Sequence, residues 1–377
     1  MKGLITGSRN RRSSVDLLRI IAMLLICASH CVQTTEQFLD FQAPTTDWKM
    51  LLLRFLRFGG TMGNILFVVS SAYFLQGRPT SKKKAINILL DSQFISIGIF
   101  LGFIVAATVA HAKFHFSFSE AMQSIFPDLY EAVWFVPCYV IFYLIHPALD
   151  LVIENLTQKQ HAELAALVFV FYGVLGLLKV QPAYSSLLAF IFIYFLIAYA
   201  KKYESSYFLN SRNNLISFLF FGALFIVIVL LKNALSRRFA FFMEYPVVDG
   251  MLSVILLPML VSLFFLFLKM EFRNRIVSFI ASCSLFFYCI HENKIVREEL
   301  RPMYYRFLME RYGEAHLLLY VVALIALVFV FGFIAAIIYK ETIARITSVL
   351  SAVVEKLLKA GFDRLYVRRY PDGDREI

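Results

Sequence analysis

Residues 12–31 read RSSVDLLRIIAMLLICASHC, an apolar run about as long as a bilayer is thick. Three ionisable residues interrupt it, namely Asp16, Arg19 and His30. On insertion scales a charged side chain at membrane depth costs about 2.5–3.5 kcal/mol unless it is paired or faces the protein interior. The stretch therefore predicts a transmembrane helix whose polar residues belong to a functional site.

The spacing of these residues places them on one face of the predicted helix. Arg19 and His30 are eleven positions apart, which makes three turns plus about 20° and a separation of roughly 16 Å along the axis. Asp16 lies one turn before Arg19 and is placed to pair with it. We expect one group near each side of the membrane, both facing an interior cavity. Taken singly, each has a simpler explanation, as a snorkelling arginine or a histidine that caps a helix.

The composition is that of a polytopic membrane protein. The 377 residues are 60% hydrophobic and 17% charged, whereas soluble domains are about 45–50% apolar. A net charge of +11 indicates cytoplasmic loops and contact with anionic lipid, so no nucleic-acid partner is expected. The five cysteines lie in or beside apolar segments without metal-ligand spacing, so we expect neither a disulfide framework nor a metal site.

The apolar segments predict an all-α fold with about ten transmembrane helices. In order, the predicted spans cover residues 12–31, 50–76, 85–111, 133–153, 162–179, 183–200, 214–232, 247–268, 276–291 and 317–339. The first run has no small-residue cleavage site, so we expect it to stay in the mature protein. Lys and Arg are most frequent in the loops on the side of the N-terminus, which predicts that both termini are cytoplasmic.

The sequence divides into three expected parts. Residues 1–14 form a basic cytoplasmic arm, residues 15–340 the transmembrane domain, and residues 341–377 a cytoplasmic tail that begins with an amphipathic stretch. The connection at 292–316 mixes charged and aromatic residues, which predicts an ordered amphipathic segment. No internal repeat and no soluble catalytic domain is evident.

Polar residues of different spans are predicted to meet at two depths. Ser70 and Ser71 lie near the inner end of span two, at the height of Arg19. At the outer side, the predicted topology brings five residues to the level of His30: Arg54, Arg57, Trp134, His291 and Glu292. A neutral imidazole is suited to taking a proton from a hydroxyl near pH 7, and a fixed arginine is suited to phosphate or carboxylate. The sequence has no Gly-rich phosphate loop, GxSxG motif or zinc-ligand cluster, which leaves a group transfer through the membrane.

Two motifs in the first part of the chain resemble the membrane acyltransferase family 3. The segment DLLR at 16–19, followed by His30, is similar to the family's first span, which has an arginine, ten residues and a histidine. FVVSSAYFL at 67–75 resembles the family's Ser-Gly-Tyr-Phe segment, with Ser71 at its serine and Ala72 in place of its glycine.

Two further motifs follow in the same order as in the family. WFVPCYVIFYLIHPALD at 134–150 resembles a Trp-led span that closes on a proline. YCIHEN at 288–293 is similar to the Tyr-Leu-Ile-His segment, most of all in the branch that modifies bacterial surface polysaccharides. The resemblance implies an acyltransferase domain over residues 15–340, in a bacterial plasma membrane. It implies transfer of an acyl group, commonly acetyl, from cytoplasmic acyl-CoA to a hydroxyl of a polysaccharide or lipid-linked sugar outside.

The resemblance also suggests roles for the candidate residues. His30 acts as general base on the acceptor hydroxyl or, as the alternative, carries the acyl group covalently. Arg19, held by Asp16, orients the CoA, with the two serines of span two on the same donor side. The acceptor side then comprises Trp134, His291, Glu292, Arg54 and Arg57, the arginines binding sugar phosphates or anchoring span two in the headgroups.

Three rival functions fit parts of the pattern. A multi-pass transporter of a small anionic or sugar-linked substrate could use an intramembrane Arg and His without covalent chemistry, but no matching pair of broken helices is evident in two halves of the sequence. A glycan polymerase or ligase usually needs a large external loop, and the longest predicted outer loop is about 25 residues. A purely structural anchor does not explain the aligned polar groups.

Overall fold

The computed structural model describes residues 12–39, 45–111, 117–129, 133–174, 185–204, 206–239 and 250–369. All regular elements among these residues are helical. The α-helices are α1 Ser13–Thr35, α2 Trp48–Arg57, α3 Gly59–Leu75, α4 Lys82–Val109, α5 Phe118–Ile125, α6 Phe135–Asn155, α7 Gln158–Val168, α8 Ser186–Lys202, α9 Ser206–Leu209, α10 Ser211–Ser236, α11 Leu256–Lys269, α12 Arg275–Ala281, α13 Ser284–His291, α14 Arg301–Tyr312, α15 Leu317–Glu341 and α16 Ile343–Arg369. Short π-helical turns at Phe169–Val174 and Val296–Leu300 and a 3₁₀ turn at Glu314–His316 join some of them.

The helical membrane architecture is confirmed, whereas the count of ten spans and the side of the termini stay predictions. Six helical stretches of the described chain are long and apolar enough to cross a membrane: Ser13–Thr35, Trp48–Leu75, Lys82–Val109, Phe135–Asn155, Ser211–Ser236 and Glu314–Glu341. The apolar helix Leu256–Lys269 is shorter. Parts of the predicted spans at 162–179, 183–200 and 247–268, and residues 1–11 and 370–377 of the arm and tail, lie outside the described residues.

Helix α1 lies in the middle of the bundle, where it packs against α2, α3 and α11–α15. Its main neighbour is the antiparallel helix α3, and glycine allows the two backbones to approach closely. A Cβ atom at Gly63 would lie 2.5 Å from the carbonyl oxygen of Ala22. We call the His30 end of α1 the outer end and the Arg19 end the inner end, following the predicted topology. At the outer end of this contact, the Ser29 hydroxyl donates to the carbonyl oxygen of Arg57 at 2.6 Å. The helix formed by the opening apolar stretch is therefore in contact with other helices along its length.

The ninth predicted span, 276–291, is two short helices instead of one. Helix α12 ends at Ala281 and α13 begins at Ser284, and together they run parallel to α1. At the inner end of this helix pair, the Ser13 hydroxyl lies 3.1 Å from the Ser278 hydroxyl. His291, the last residue of α13, lies beside α1 at the outer end. The break places Ser282 and Ser284 beside a cavity at mid-length.

Helix α6 begins inside the bundle and not at its outer end. Phe135, its first residue, packs against Phe67 of α3 and Tyr288 of α13, with ring centroids 6.3 Å and 5.5 Å apart. The second half of α6 contacts the turn between α3 and α4, where the Asp150 carboxylate accepts from the Gly77 N–H at 3.0 Å. Trp134, which precedes α6, therefore lies beside these packed rings and not at the end of the bundle.

The amphipathic segments predicted near the C-terminal end are helical. The connection at 292–316 contains α14, and the stretch after Lys340 forms α16. Helix α16 packs along α4, where the buried carboxylate of Asp91 accepts from the hydroxyls of Thr347 and Tyr339 at 2.5 Å and 2.8 Å. The polar face of α16 is thus partly taken up by protein contacts.

Candidate active site

The outer end of α1 carries a cluster of two histidines and a glutamate from different helices. The rings of His30 and His291 stack with centroids 5.3 Å apart, and His30 Nδ1 lies 3.1 Å from His291 Nε2. The same Nδ1 contacts the carboxylate of Glu292. His291 and Glu292 are 1% and 5% exposed, whereas the His30 side chain is 17% exposed. The cluster is buried except where His30 reaches the surface.

The hydrogen bonds of the cluster determine which nitrogen of His30 is free. His291 Nδ1 lies 3.0 Å from the carbonyl oxygen of Phe287, which can only accept, so Nδ1 carries the proton of a neutral His291. His291 Nε2 is then an acceptor, and the hydrogen between the two rings belongs to His30 Nδ1. That hydrogen also faces the Glu292 carboxylate. In a neutral His30 the remaining nitrogen, Nε2, therefore has a lone pair available to take a proton.

Two arginines balance the charge of Glu292. The second carboxylate oxygen, Oε1, lies 3.3 Å from Arg297 and 3.5 Å from Arg301, which is 2% exposed. A buried carboxylate needs such partners because an unpaired charge in the interior is strongly unfavourable. Sequence reasoning missed both arginines, which lie in the charged connection at 292–316. The sequence signal that could have indicated these arginines is Glu292, because an acidic residue directly after an apolar helix needs a basic partner nearby.

The same cluster has the composition of a metal site. The ligand atoms of His30, His291 and Glu292 lie within 4.8 Å of one another. However, Arg297 and Arg301 both face Glu292, so a divalent cation there would lie close to two positive charges. In addition, one nitrogen of His30 already contacts both other residues. The arrangement favours a shared proton over a metal ion.

A cavity of about 320 Å³ lies further in, between α1, α3, α4, α6 and the α12–α13 break. Arg19 lines it and lies 3.6 Å from the Asp16 carboxylate, which confirms the predicted pairing. The polar lining residues are Arg19, Asn64, Ser71, Lys84, Tyr139, Ser282, Ser284 and Tyr288. Lys84 is a residue that sequence reasoning missed, because the run KKK at 82–84 is typical of an exposed cytoplasmic turn.

The two serines of α3 face different surroundings. Ser71 lines the cavity and shares a hydrogen bond with Tyr139. Ser70 is fully buried, its hydroxyl has no hydrogen-bond partner in the described part of the chain, and it is not among the cavity residues. Ser71 therefore lines the same cavity as Arg19, whereas Ser70 does not.

The predicted acceptor residues other than His291 and Glu292 lie apart from the cluster. Arg54 donates to Asn233 Oδ1 of α10 at 2.7 Å, and Arg57 Nε donates to Glu36 at 2.6 Å. Both arginines thus bind protein partners near the outer end of α1. The ring of Trp134 packs against Phe135 at 5.7 Å. Their contribution to acceptor binding stays a prediction.

Two aromatic rings separate the cavity from the histidines. Tyr288 and Phe135 both line the cavity, and the Tyr288 ring packs against His291 with centroids 5.6 Å apart. His30 is not among the residues that line this cavity, although we expected both polar groups of α1 to face one space. The site therefore consists of an inner compartment at Arg19 and an outer cluster at His30, one aromatic layer apart.

Comparison with known proteins agrees with the motifs in this site. A family model described as an acyltransferase domain matches residues 12–339. That range includes the outer cluster and all residues that line the inner cavity. No curated protein and no solved structure matches the chain significantly.

Proposed function

Because the chain belongs to the acyltransferase family 3, we propose that it is a membrane O-acyltransferase that uses cytoplasmic acyl-CoA, with acetyl as the acyl group. The acceptor is a hydroxyl of a cell-surface polysaccharide or lipid-linked sugar on the outer side of a bacterial plasma membrane. The observation that carries the proposal is the free Nε2 of His30. The other ring nitrogen, Nδ1, contacts Glu292 and His291, and one aromatic layer lies between this cluster and a cationic cavity. The family match favours group transfer over the transporter alternative.

In the proposed reaction His30 Nε2 removes the proton of the sugar hydroxyl as the oxygen attacks the thioester carbonyl. The new C–O ester bond forms, the C–S bond breaks, and the proton on His30 passes to the departing thiolate of CoA. Glu292 stabilises the imidazolium that forms in between, and Arg297 and Arg301 keep Glu292 ionised and in place. Arg19, paired with Asp16, holds the donor at the inner side. A covalent acyl-His30 intermediate is the alternative use of the same free nitrogen.

The test is acetyl transfer by purified protein in proteoliposomes, with labelled acetyl-CoA on one side and candidate polysaccharide precursors on the other. We expect His30→Ala to lower the transfer rate by about 10²-fold or more, which is the range for loss of a general base. His316→Ala is the matched control, because His316 is exposed and lies outside the cluster. Transfer by His30→Ala at the wild-type rate would contradict the proposal.

A further inference from the structure

The inner cavity carries positive charge at its mouth. Of the residues that line it, Arg19 and Lys84 are cationic and none is a carboxylate. The exposed Lys84 ammonium lies 4.8 Å from the centre of the Tyr143 ring, and within the described residues no carboxylate pairs with it. The charges of Arg19 and Arg78 both act on Lys84. A cluster of like charges in a cleft attracts anions and raises their local concentration.

The mouth is built on a turn that α6 holds in place. The Ser81 N–H donates to the Tyr143 hydroxyl at 2.9 Å, and His146 Nε2 lies 2.9 Å from the carbonyl oxygen of Arg78. Gly77 supplies the positive φ of 70° at which the turn leaves α3. These contacts fix the start of α4, and with it Lys84, before any ligand binds.

Deeper in the cavity, two polar atoms have no hydrogen-bond partner within the described structure. They are the hydroxyl of Ser284, a residue that is 3% exposed, and the side-chain oxygen of Asn64. Both residues line the cavity. Buried polar atoms are nearly always bonded, so orphaned ones in a cavity indicate a ligand that completes them. An amide group is suited to this pair, because its N–H can donate to Asn64 and its carbonyl can accept from Ser284.

We propose that this cavity binds the phosphopantetheine arm of the donor, with Lys84 and Arg19 on its phosphate and Ser284 and Asn64 on its amides. The inference rests on the proposed function and adds binding residues to it. The volume of about 320 Å³ is at the small end for ligand pockets, so the arm enters and the nucleotide stays outside at the cationic mouth. The thioester then lies at the Tyr288 end, beside the aromatic layer that adjoins His291.

The test measures binding without turnover, by calorimetry of the full-length protein in lipid nanodiscs with coenzyme A and with pantetheine, which has no phosphate. We expect Lys84→Met to weaken coenzyme A binding by about tenfold and to leave pantetheine binding unchanged. Lys84→Arg keeps the charge and should restore most of the affinity. Lys159→Met removes the same charge from an exposed site outside the cavity, where Lys159 faces Glu163, and should change neither.

The second arm of the test addresses the amide contacts. Ser284→Ala should weaken coenzyme A and pantetheine by the same factor, about two- to tenfold, because both ligands carry the amides. If coenzyme A binds but Lys84→Met behaves like Lys159→Met, the phosphate assignment is wrong while the proposed function stands. Equal weakening of both ligands by Lys84→Met also overturns that assignment. If wild-type protein does not bind coenzyme A at all, the proposed function itself fails.

Discussion

The two ends of the site on α1 are built in opposite ways. At the outer end, His30 is held through Nδ1 by its contacts with His291 and Glu292, and Glu292 is charge-balanced by two arginines. At the inner end, the cavity has cationic side chains and polar atoms whose partners are missing from the described structure. In the proposed function, the outer cluster is organised for proton transfer before substrate binds, whereas the inner cavity has polar atoms that a ligand would complete.

The largest effect that separates the two ends is expected from Glu292→Gln. The neutral amide no longer stabilises the imidazolium that forms when His30 takes a proton, and it removes a counter-charge of Arg297 and Arg301. We expect turnover to fall by about 10²–10⁴-fold with coenzyme A affinity unchanged.

Steady-state rates and calorimetry on the same preparation check the Glu292→Gln prediction. Glu310→Gln, at an exposed position of α14, is the control and should retain full activity. A parallel loss of coenzyme A affinity would mean that the outer cluster and the inner cavity are not the independent units described above.

Gly63→Ala should damage both ends together, because it acts on the helix that they share. The added Cβ would meet the carbonyl oxygen of Ala22 at 2.5 Å, so α1 and α3 must move apart. We expect a loss of about 1–3 kcal/mol in stability, seen as a lower melting temperature in detergent, with weaker ligand binding and slower turnover. Gly98→Ala on α4, where a Cβ meets nothing within 4 Å, is the matched control. An unchanged Gly63→Ala protein would show that the close α1–α3 contact is not needed.

A smaller effect is expected from Arg57→Ala, which tests how far the outer end extends. The half-exposed pair of Arg57 with Glu36 is of the kind worth about 0–1 kcal/mol, so we expect turnover within about twofold of wild type. The measurement is KM for a lipid-linked sugar against KM for the same sugar without phosphate. A rise of tenfold or more for the phosphorylated acceptor alone would assign Arg57 to acceptor binding.

The smallest effect is expected from a chelator. If a proton and not a metal ion links His30, His291 and Glu292, dialysis against EDTA should leave the transfer rate unchanged. Metal analysis of the purified protein before and after dialysis provides the control. Loss of activity that added zinc restores would show that the three residues bind a metal.

The sequence could predict what depends on local geometry. The common face of Arg19 and His30 and the pairing with Asp16 follow from helical periodicity alone. The approach of His291 to His30 also followed from placing each apolar segment across one membrane. By contrast, the position of Lys84 at the mouth of the cavity could not be predicted from the run KKK, because it depends on how α6 holds the preceding turn.

Other features depended on tertiary packing that no periodicity reveals. The break between α12 and α13 occurs within a continuous apolar segment that reads as one span. The depth of Trp134 depends on where α6 begins, and Trp at the edge of an apolar run is ordinarily interfacial. Glu292 indicates in the sequence that a basic partner is nearby, but only the folded chain shows that Arg301 is one of its partners.

In the proposed transfer, the packed rings of Tyr288 and Phe135 have a consequence for the cell's energy supply. An enzyme that carries an acyl group across a bilayer risks opening a leak for protons and salt, which would dissipate the electrochemical gradient. Rings packed 5.5 Å apart at the end of the cavity would restrict such a leak, so we expect the membrane potential to be retained between turnovers.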